Sequence, residues 1–255
     1  MPRRVVGGVL CEVVQRAGFN NEIAVISNLR GKPAFTTVYK PDDTSLVRDL
    51  DLDFDASRVS FTKHRGNDMW GVFEIELGPD GKAKGSGCVE VSPRDYPDVY
   101  WANGCYLPNR DQVIVLGSGV YQYLPCEDGN MPRTVIYRID RKTGEVRQLT
   151  YEQDSDYTPS VLNDGRVVFT RWEYSDMQHY FARELMTMNP DGVGQLALWG
   201  SGSYFPTFLY RARAIPGDPH RLVMIGGGHH GVAEKGRMLI VDPTRARLSV
   251  PLRPA

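Results

Sequence analysis

The sequence has few of the features that mark several functional classes. Its 255 residues include four cysteines, which form no CxxC, no CxxCH and no paired zinc spacing, so the chain contains no c-type haem attachment motif. No apolar run reaches the roughly 18–20 residues of a membrane helix, and we expect no membrane span. The 30 basic residues are balanced by 31 acidic ones, which provides no overall positive charge for binding nucleic acid.

Catalytic and targeting motifs are also missing. Gly117-Ser-Gly and Gly200-Ser-Gly-Ser203 do not match the Gly-x-Ser-x-Gly motif of hydrolases, and the sequence contains no phosphate loop or dinucleotide fingerprint. Near the N-terminus, Glu12 interrupts the apolar stretch, and Leu10 precedes Cys11 where lipoprotein processing prefers a small residue. We therefore expect no signal peptide and no catalytic residue in this chain.

Turn-forming residues, in contrast, are abundant, and they punctuate an internal repeat. The chain has 26 glycines and 17 prolines, and such frequent turn signals indicate many short strands. Four segments each contain an apolar approach, a polar turn and a β-rich strand. Aligning Val59, Val113, Val167 and Leu222 gives steps of 54, 54 and 55 residues. The alternative is that regular turns in any β-rich protein produce similar spacings.

Each repeat continues with another strand, a turn rich in Gly, Pro, Asn or Asp, and a short outer strand. The strands before these turns are predicted at residues 72–77, 134–140, 184–189 and 238–242. Repeated up-and-down sheets of four strands bury their faces against one another when they are arranged radially. The sequence therefore predicts an all-β protein, a β-propeller of four-stranded antiparallel blades.

The repeat length also predicts how the chain is divided. We expect one propeller domain or fragment over residues 1–255, with a partial blade at 5–43 and full blades at the following residues: roughly 44–97, 98–152, 153–202 and 203–253. A propeller must close to protect its strand edges. The chain is therefore predicted to be part of a larger ring of about six or seven blades. A five-bladed ring with an incomplete first blade is the alternative.

Strand alternation places the long connections of all blades on one face. These connections span residues 63–71, 117–133, 171–183 and 226–237. Four of the five histidines fall within them, namely His64, His179, His229 and His230, whereas His220 belongs to the opposite face. Loops on a rigid scaffold often carry binding residues, so the long-loop face is the predicted functional face.

The third of these connections is the richest in chemistry. Its candidate ligand-binding or partner-binding residues are Arg171, Trp172, Glu173, Asp176, His179, Tyr180 and Arg183. In this interpretation Trp172 and Tyr180 are stacking surfaces, and Arg171 or Arg183 anchors an anion. The alternative is that the aromatic rings pack over the blade while the charges pair with each other.

A metal site is a further hypothesis for the same face. His229 and His230 follow three glycines, and imidazoles are common metal ligands. His64 or His179, together with Asp176, would supply the further ligands. Adjacent residues on a strand point to opposite sides, so the alternative is a glycine-rich bend with one buried and one solvated histidine. Cys105 and Cys126 could form a disulfide in an oxidising compartment, with buried free thiols as the alternative.

Residues 156–174, Asp-Tyr-Thr-Pro-Ser-Val-Leu-Asn-Asp-Gly-Arg-Val-Val-Phe-Thr-Arg-Trp-Glu-Tyr, resemble the propeller repeats of the Tol translocation family. More specifically, residues 150–245 resemble the bacterial family that carries the middle domain of the hydrazine synthase alpha subunit. The motifs that carry this resemblance include Met188-Asn-Pro-Asp-Gly192, Gly200-Ser-x-Ser-Tyr204 and Gly228-His-His-Gly231. The resemblance adds Tyr204 to the candidate partner-binding residues.

The resemblance implies a propeller placed between other domains of an exported, periplasmic or extracytoplasmic bacterial protein, in a chain that continues past residue 255. In the synthase, the chemistry takes place at covalently held haems outside the propeller. This chain has no CxxCH motif, so hydrazine-forming activity cannot be transferred to it.

Two functional hypotheses follow. The first is a non-catalytic scaffold that presents its long-loop face to a protein or a small-molecule ligand, with no cofactor in this chain. The second is a metal-associated or haem-associated redox component whose catalytic domain lies outside this chain. Neither hypothesis requires enzymatic activity from the chain alone.

Overall fold

The computed structural model describes residues 18–65, 69–123, 132–173, 183–200, 206, 208–228, 236–245 and 250–251. Across these residues the regular secondary structure is entirely β-strand. The described part of the chain accordingly offers no helix of the length and apolarity needed to cross a membrane. The all-β prediction is confirmed.

The strands form a hairpin followed by four four-stranded sheets, which we name blades I to IV. The hairpin consists of β1 (Ile23–Ser27) and β2 (Ala34–Tyr39). The strands of blades I and II are β3 (Val47–Leu52), β4 (Arg58–His64), β5 (Trp70–Glu76), β6 (Val89–Glu90), β7 (Trp101–Tyr106), β8 (Gln112–Gly117), β9 (Val135–Asp140) and β10 (Val146–Gln148). The strands of blades III and IV are β11 (Asp156–Val161), β12 (Val167–Trp172), β13 (Arg183–Met188), β14 (Leu196–Trp199), β15 (Phe208–Ala214), β16 (Leu222–Gly227), β17 (Arg237–Val241) and β18 (Val250–Pro251).

Pairing within every blade is antiparallel and follows chain order. Blades III and IV are also joined by one parallel pair, Arg183 with Phe208. The first strand of each blade contacts the first strand of the next. This arrangement confirms the predicted propeller of four-stranded antiparallel blades.

The hydrophobic core lies between successive blades. The repeat positions Val59, Val113, Val167 and Leu222 all lie near the start of the second strand of a blade and are all buried. The cluster between blades II and III combines residues such as Leu116 of β8 with Phe169 of β12 and Met188 of β13. Similar clusters join blade I to II and blade III to IV. The hydrophobic effect therefore stabilises the stacking of whole sheets.

A β-bulge interrupts the first strand of every blade at the equivalent place. Asp49, Asn103, Thr158 and Arg211 have φ angles of 56°, 52°, 43° and 54°, and the strand pairing shifts register beside each. The bulged backbone turns its amides towards the neighbouring blade. The Asn103 amide donates to Thr62 Oγ1 at 3.0 Å, and the Arg211 amide donates to Thr158 Oγ1 at 3.1 Å.

Ion pairs connect the first strands of blades I and IV. Arg211 Nη2 of β15 lies 3.0 Å from Asp49 Oδ1 of β3, and Arg213 Nη1 lies 2.6 Å from Asp51 Oδ1. Asp51 also accepts a hydrogen bond from the Tyr106 amide of blade II at 2.9 Å. Strand β3 is thus bonded to the first strands of both blade II and blade IV.

The turn between β3 and β4 provides a test of backbone strain. Ala56 has φ 56°, and Arg110, at the equivalent position of blade II, has φ 62°, whereas the corresponding turn of blade III has glycine there, Gly165. Left-handed backbone costs a side-chain-bearing residue roughly 1–2 kcal/mol, and the added flexibility of an unfolded glycine offsets about 0.5–1 kcal/mol. We expect Ala56→Gly to raise the free energy of unfolding by about 0.5–1 kcal/mol, measured by urea denaturation.

The reverse substitution is the matched control. A Cβ at Gly165 would meet nothing within 4 Å, so Gly165→Ala changes the backbone preference without a side-chain clash. We expect it to lower the free energy of unfolding by about 1 kcal/mol. Destabilisation by Ala56→Gly would contradict the assigned strain.

Candidate functional site

The topology places one set of connections on the long-loop face and the tight turns on the other. The connections from the second to the third strand of each blade, and those from one blade to the next, lie on the long-loop face. Asp176, His179, Tyr180, Tyr204, His229 and His230 of the predicted sites, as well as Cys126, lie outside the described residues. Arg171, Trp172, Glu173 and Arg183 are described.

Arg171 is held inside blade III by acidic partners. It lies opposite Asp156 in the β11–β12 pairing, and its Nε donates to Asp156 Oδ1 at 2.9 Å. Nη1 lies 3.5 Å from Glu152 Oε2, and Nη2 donates to Gln195 Oε1 at 3.0 Å. Burial raises the pKa of Asp156, although the Arg171 charge acts to lower that pKa. The positive charge of the Arg171 guanidinium group is therefore balanced by carboxylates inside the protein.

Arg183 is enclosed between two aromatic rings. Its Cζ atom lies 4.2 Å from the Trp172 ring centroid and 4.4 Å from the Phe208 ring centroid. All three side chains are buried. This geometry is a double cation–π contact across blades III and IV, and it stabilises their packing.

These positions differ from the roles that the sequence suggested for three residues. Trp172 is 1% exposed and stacks on Arg183, so its ring is not a surface for an external ligand. Arg171 and Arg183 are buried beside internal partners and do not present free anion anchors. The described part of this loop follows the alternative of internal packing. Glu173 is half-buried at the end of the described segment.

The metal hypothesis receives no support from the described residues. Among them, no group of three or more His, Cys, Asp or Glu side chains could hold a metal ion. His64 packs edge-on against Trp70, with 6.0 Å between the ring centroids. Cys105 is a buried free thiol, and burial raises its pKa. The proposed ligands His229, His230, His179 and Asp176 lie outside the part of the chain that the structure describes.

A cavity of about 570 Å³ opens on the long-loop face of blade I. Its walls come from the β4–β5 connection, from β5 and β6, and from the segments leading into and out of the blade. The charged side chains that line it are Asp43, Lys63, Arg65, Glu90 and Arg94. A cavity of 80 Å³ lies on the opposite face and contains His220. The long-loop face thus contains the larger of these two cavities.

Lys63, near the end of β4, forms part of the cavity wall. Its Nζ lies 3.7 Å from Asp43 Oδ2, and 6.0 and 5.8 Å from the ring centroids of Tyr39 and Phe73. Burial acts to raise the pKa of Asp43, but hydrogen bonds from Ser45 and the charge of Lys63 outweigh it and lower that pKa. Asp43 is therefore a carboxylate at neutral pH.

Glu90 organises the opposite wall. Its carboxylate accepts hydrogen bonds from Ser92 Oγ at 2.9 Å and Arg94 Nε at 3.1 Å, and Arg65 Nη2 lies 2.8 Å from Oε1. Gly71 leaves space for this carboxylate, because a Cβ there would lie 2.7 Å from Glu90 Oε1. Glu90 therefore orients both arginines.

The sequence contained only a weak signal for this cavity. Lys63, His64 and Arg65 form a short basic run at the end of a predicted strand, and such runs usually line a solvated edge. Arg94 and Asp43 come from separate connecting segments, so their convergence depends on the fold.

Four successive antiparallel sheets with their long connections on one face define a β-propeller. No family model matches the sequence, and no curated protein matches it. Solved structures do match. A protein described as a putative TolB from Agrobacterium tumefaciens is 14% identical, with a TM-score of 0.63 over 88% of this chain and 71% of that chain.

Two further structures support the same architecture. TolB from Acinetobacter baumannii is 13% identical, with a TM-score of 0.61 over 91% of this chain and 49% of that chain. Hydrazine synthase from Kuenenia stuttgartiensis is 15% identical, with a TM-score of 0.63 over 83% of this chain and 33% of that chain. The resemblance to Tol-type propellers and hydrazine synthase is confirmed at the level of the fold. The chain spans about half or less of the length of these two proteins.

Proposed function

We propose that the chain is a non-catalytic propeller scaffold of an exported bacterial protein that binds a protein or small-molecule partner on its long-loop face. The observation that carries the proposal is the strand order, which gathers the long connections of the blades on one face. Because Arg171 and Arg183 are buried, the candidate contact residues of the third connection are His179 and Tyr180, which lie outside the described residues.

The compartment and the surrounding protein belong to the same proposal. The fold similarity to TolB supports an extracytoplasmic, periplasmic location. The partial coverage of these structures supports a domain that works within a larger assembly.

Site-specific photocrosslinking tests the proposal. A benzoyl-phenylalanine replaces Tyr180 on the long-loop face or, as the matched aromatic control, Phe54 in the turn between β3 and β4, where Phe54 is 58% exposed. We expect a discrete crosslinked adduct in cells from position 180 and none from position 54. His179→Ala should weaken the position-180 adduct by about tenfold without changing the melting temperature.

Equal adduct yields from positions 180 and 54 would contradict the proposed contact surface. An adduct yield at position 180 that His179→Ala leaves unchanged would also contradict it. The melting temperature of each variant distinguishes loss of contact from loss of folding.

A further inference from the structure

The geometry points to the cavity on the long-loop face of blade I as a binding site for a small monocarboxylate that carries an apolar group. This inference rests on the proposed function only in using the same face. Its residues belong to blade I and its neighbouring segments, whereas the proposed contact region belongs to blade III.

Among the described residues that line the cavity, His64 aside, the charged side chains leave an excess of one positive charge. Lys63, Arg65 and Arg94 provide three cations, and Asp43 and Glu90 provide two carboxylates. Both arginines contact Glu90, so one carboxylate serves two guanidinium groups. A ligand with a single negative charge would balance the set.

Lys63 has hydrogen-bonding capacity that the described residues do not use. Its ammonium group carries three donors. Among the described residues the nearest carboxylate oxygen, Asp43 Oδ2, is 3.7 Å away, and none of these residues provides a hydrogen-bond acceptor for it. The side chain is 17% exposed and lines the cavity, so a ligand can reach it. A carboxylate bound there would supply the missing acceptor in a partly buried environment, where charge-assisted bonds are strong.

Arg94 offers a second point of attachment. Its Nε is bonded to Glu90, and within the described residues its two terminal nitrogens have no hydrogen-bond partner. The side chain is 78% exposed. Because Glu90 fixes one edge of the guanidinium group, the other edge is oriented for a carboxylate with little loss of side-chain entropy.

The remaining wall of the cavity favours an apolar ligand body. Met69, Phe73 and Pro97 line it, and Phe73 also lies beneath Lys63, 5.8 Å from Nζ. The volume of about 570 Å³ falls in the usual range of small-molecule sites, roughly 300–1,000 Å³. An aromatic monocarboxylate matches both the charge and the apolar wall.

Titration calorimetry with four probes tests the inference. Benzoate has both a carboxylate charge and an apolar ring. Acetate lacks the apolar group, benzamide lacks the charge, and inorganic phosphate is an anion of a different chemical class. We expect benzoate to bind about tenfold more tightly than acetate and benzamide, and more tightly than phosphate. No benzoate binding up to about 10 mM, or equal binding of benzoate and benzamide, would overturn the inference. Tighter binding of phosphate would overturn the proposed ligand class.

Three variants locate the site. Lys63→Met keeps an apolar stem against Tyr39 and Phe73 and removes the charge, and we expect benzoate affinity to fall about tenfold. Arg94→Gln changes an exposed side chain and should weaken benzoate by about fivefold even if Lys63→Met proves unstable. Lys82→Met, in the turn after β5 on the opposite face, should have no effect. Equal weakening by Lys82→Met would show non-specific attraction and overturn the site.

The two proposals fail separately. Loss of the position-180 crosslink with intact benzoate binding would reject the partner surface alone. Absence of benzoate binding with an intact crosslink would reject the cavity site alone.

Discussion

Arg171→Met is expected to lower the free energy of unfolding by about 3–5 kcal/mol, because it leaves the Asp156 carboxylate buried without its cation. Asp156 is fully buried between β11 and β12, and the Arg171 side chain is 7% exposed. Met retains most of the side-chain length, so the loss reports the charge more than the packing. Urea denaturation followed by far-UV circular dichroism measures it.

Two further variants separate the buried charge from other effects. The Arg166–Asp164 pair is exposed, with 2.7 Å between Nη2 and Oδ2, and Arg166→Met should cost about 0.5 kcal/mol or less. The double variant Arg171→Met/Asp156→Leu removes both buried charges and should recover most of the loss. A single-variant loss below about 1 kcal/mol, or additive losses in the double variant, would contradict a buried pair.

Much of the fold could be predicted from the sequence because its signals are local. Turn residues and apolar alternation recur at nearly constant spacing, and the strands predicted at 134–140 and 184–189 are found at Val135–Asp140 and Arg183–Met188. The repeat fixed the relative position of equivalent strands even where individual side chains differ. The total number of blades stays a prediction, because the described strands supply one hairpin and four blades.

The roles of the site residues were harder to predict, because they depend on where β12 ends. The sequence suggests that Arg171 and Trp172 begin a long loop, but the strand continues to Trp172 and buries both side chains. The contact of Arg183 with Phe208 needs the next blade. Arg and Trp are frequent binding residues, and residue type alone did not distinguish an exposed site from internal packing.

The contacts at the bulges were missed for a different reason. The four bulge positions carry Asp49, Asn103, Thr158 and Arg211, which are all polar but differ in charge and size. Asp49 and Arg211 are 162 residues apart, and only the return of blade IV to blade I brings them together. Local patterns therefore predict the blades, but they do not predict the hydrogen bonds and ion pairs between the first strands of different blades.

Asp49→Asn is expected to lower the free energy of unfolding by about 2–3 kcal/mol at pH 7. The Asp49 side chain is 1% exposed, and it accepts hydrogen bonds from Arg48 Nε at 2.7 Å and Arg211 Nη2 at 3.0 Å. Asparagine tolerates the left-handed backbone at this bulge nearly as well as aspartate, so the substitution tests the charge. The partial exposure of Arg211, 35% of its side chain, places the expected loss below that of a fully buried pair.

The pH dependence of this loss gives the sharper test. Burial acts to raise the pKa of Asp49, but the charges and hydrogen bonds of Arg48 and Arg211 outweigh it and lower that pKa. A carboxylate whose pKa is lower in the folded state stabilises above its unfolded pKa of about 3.9, and this contribution is lost as the pH falls through the folded pKa. Urea denaturation should therefore show the full difference between wild type and Asp49→Asn at pH 7 and a shrinking difference below about pH 4.

Exposed Asp95 provides the control, since Asp95→Asn should change the free energy of unfolding by about 0.5 kcal/mol or less at either pH. A loss for Asp49→Asn that persists unchanged in acid would mean that the substitution disturbs the bulge itself. The contact between blades I and IV would then depend on the bulged backbone conformation, and the Asp49–Arg211 ion pair would contribute little to its stability.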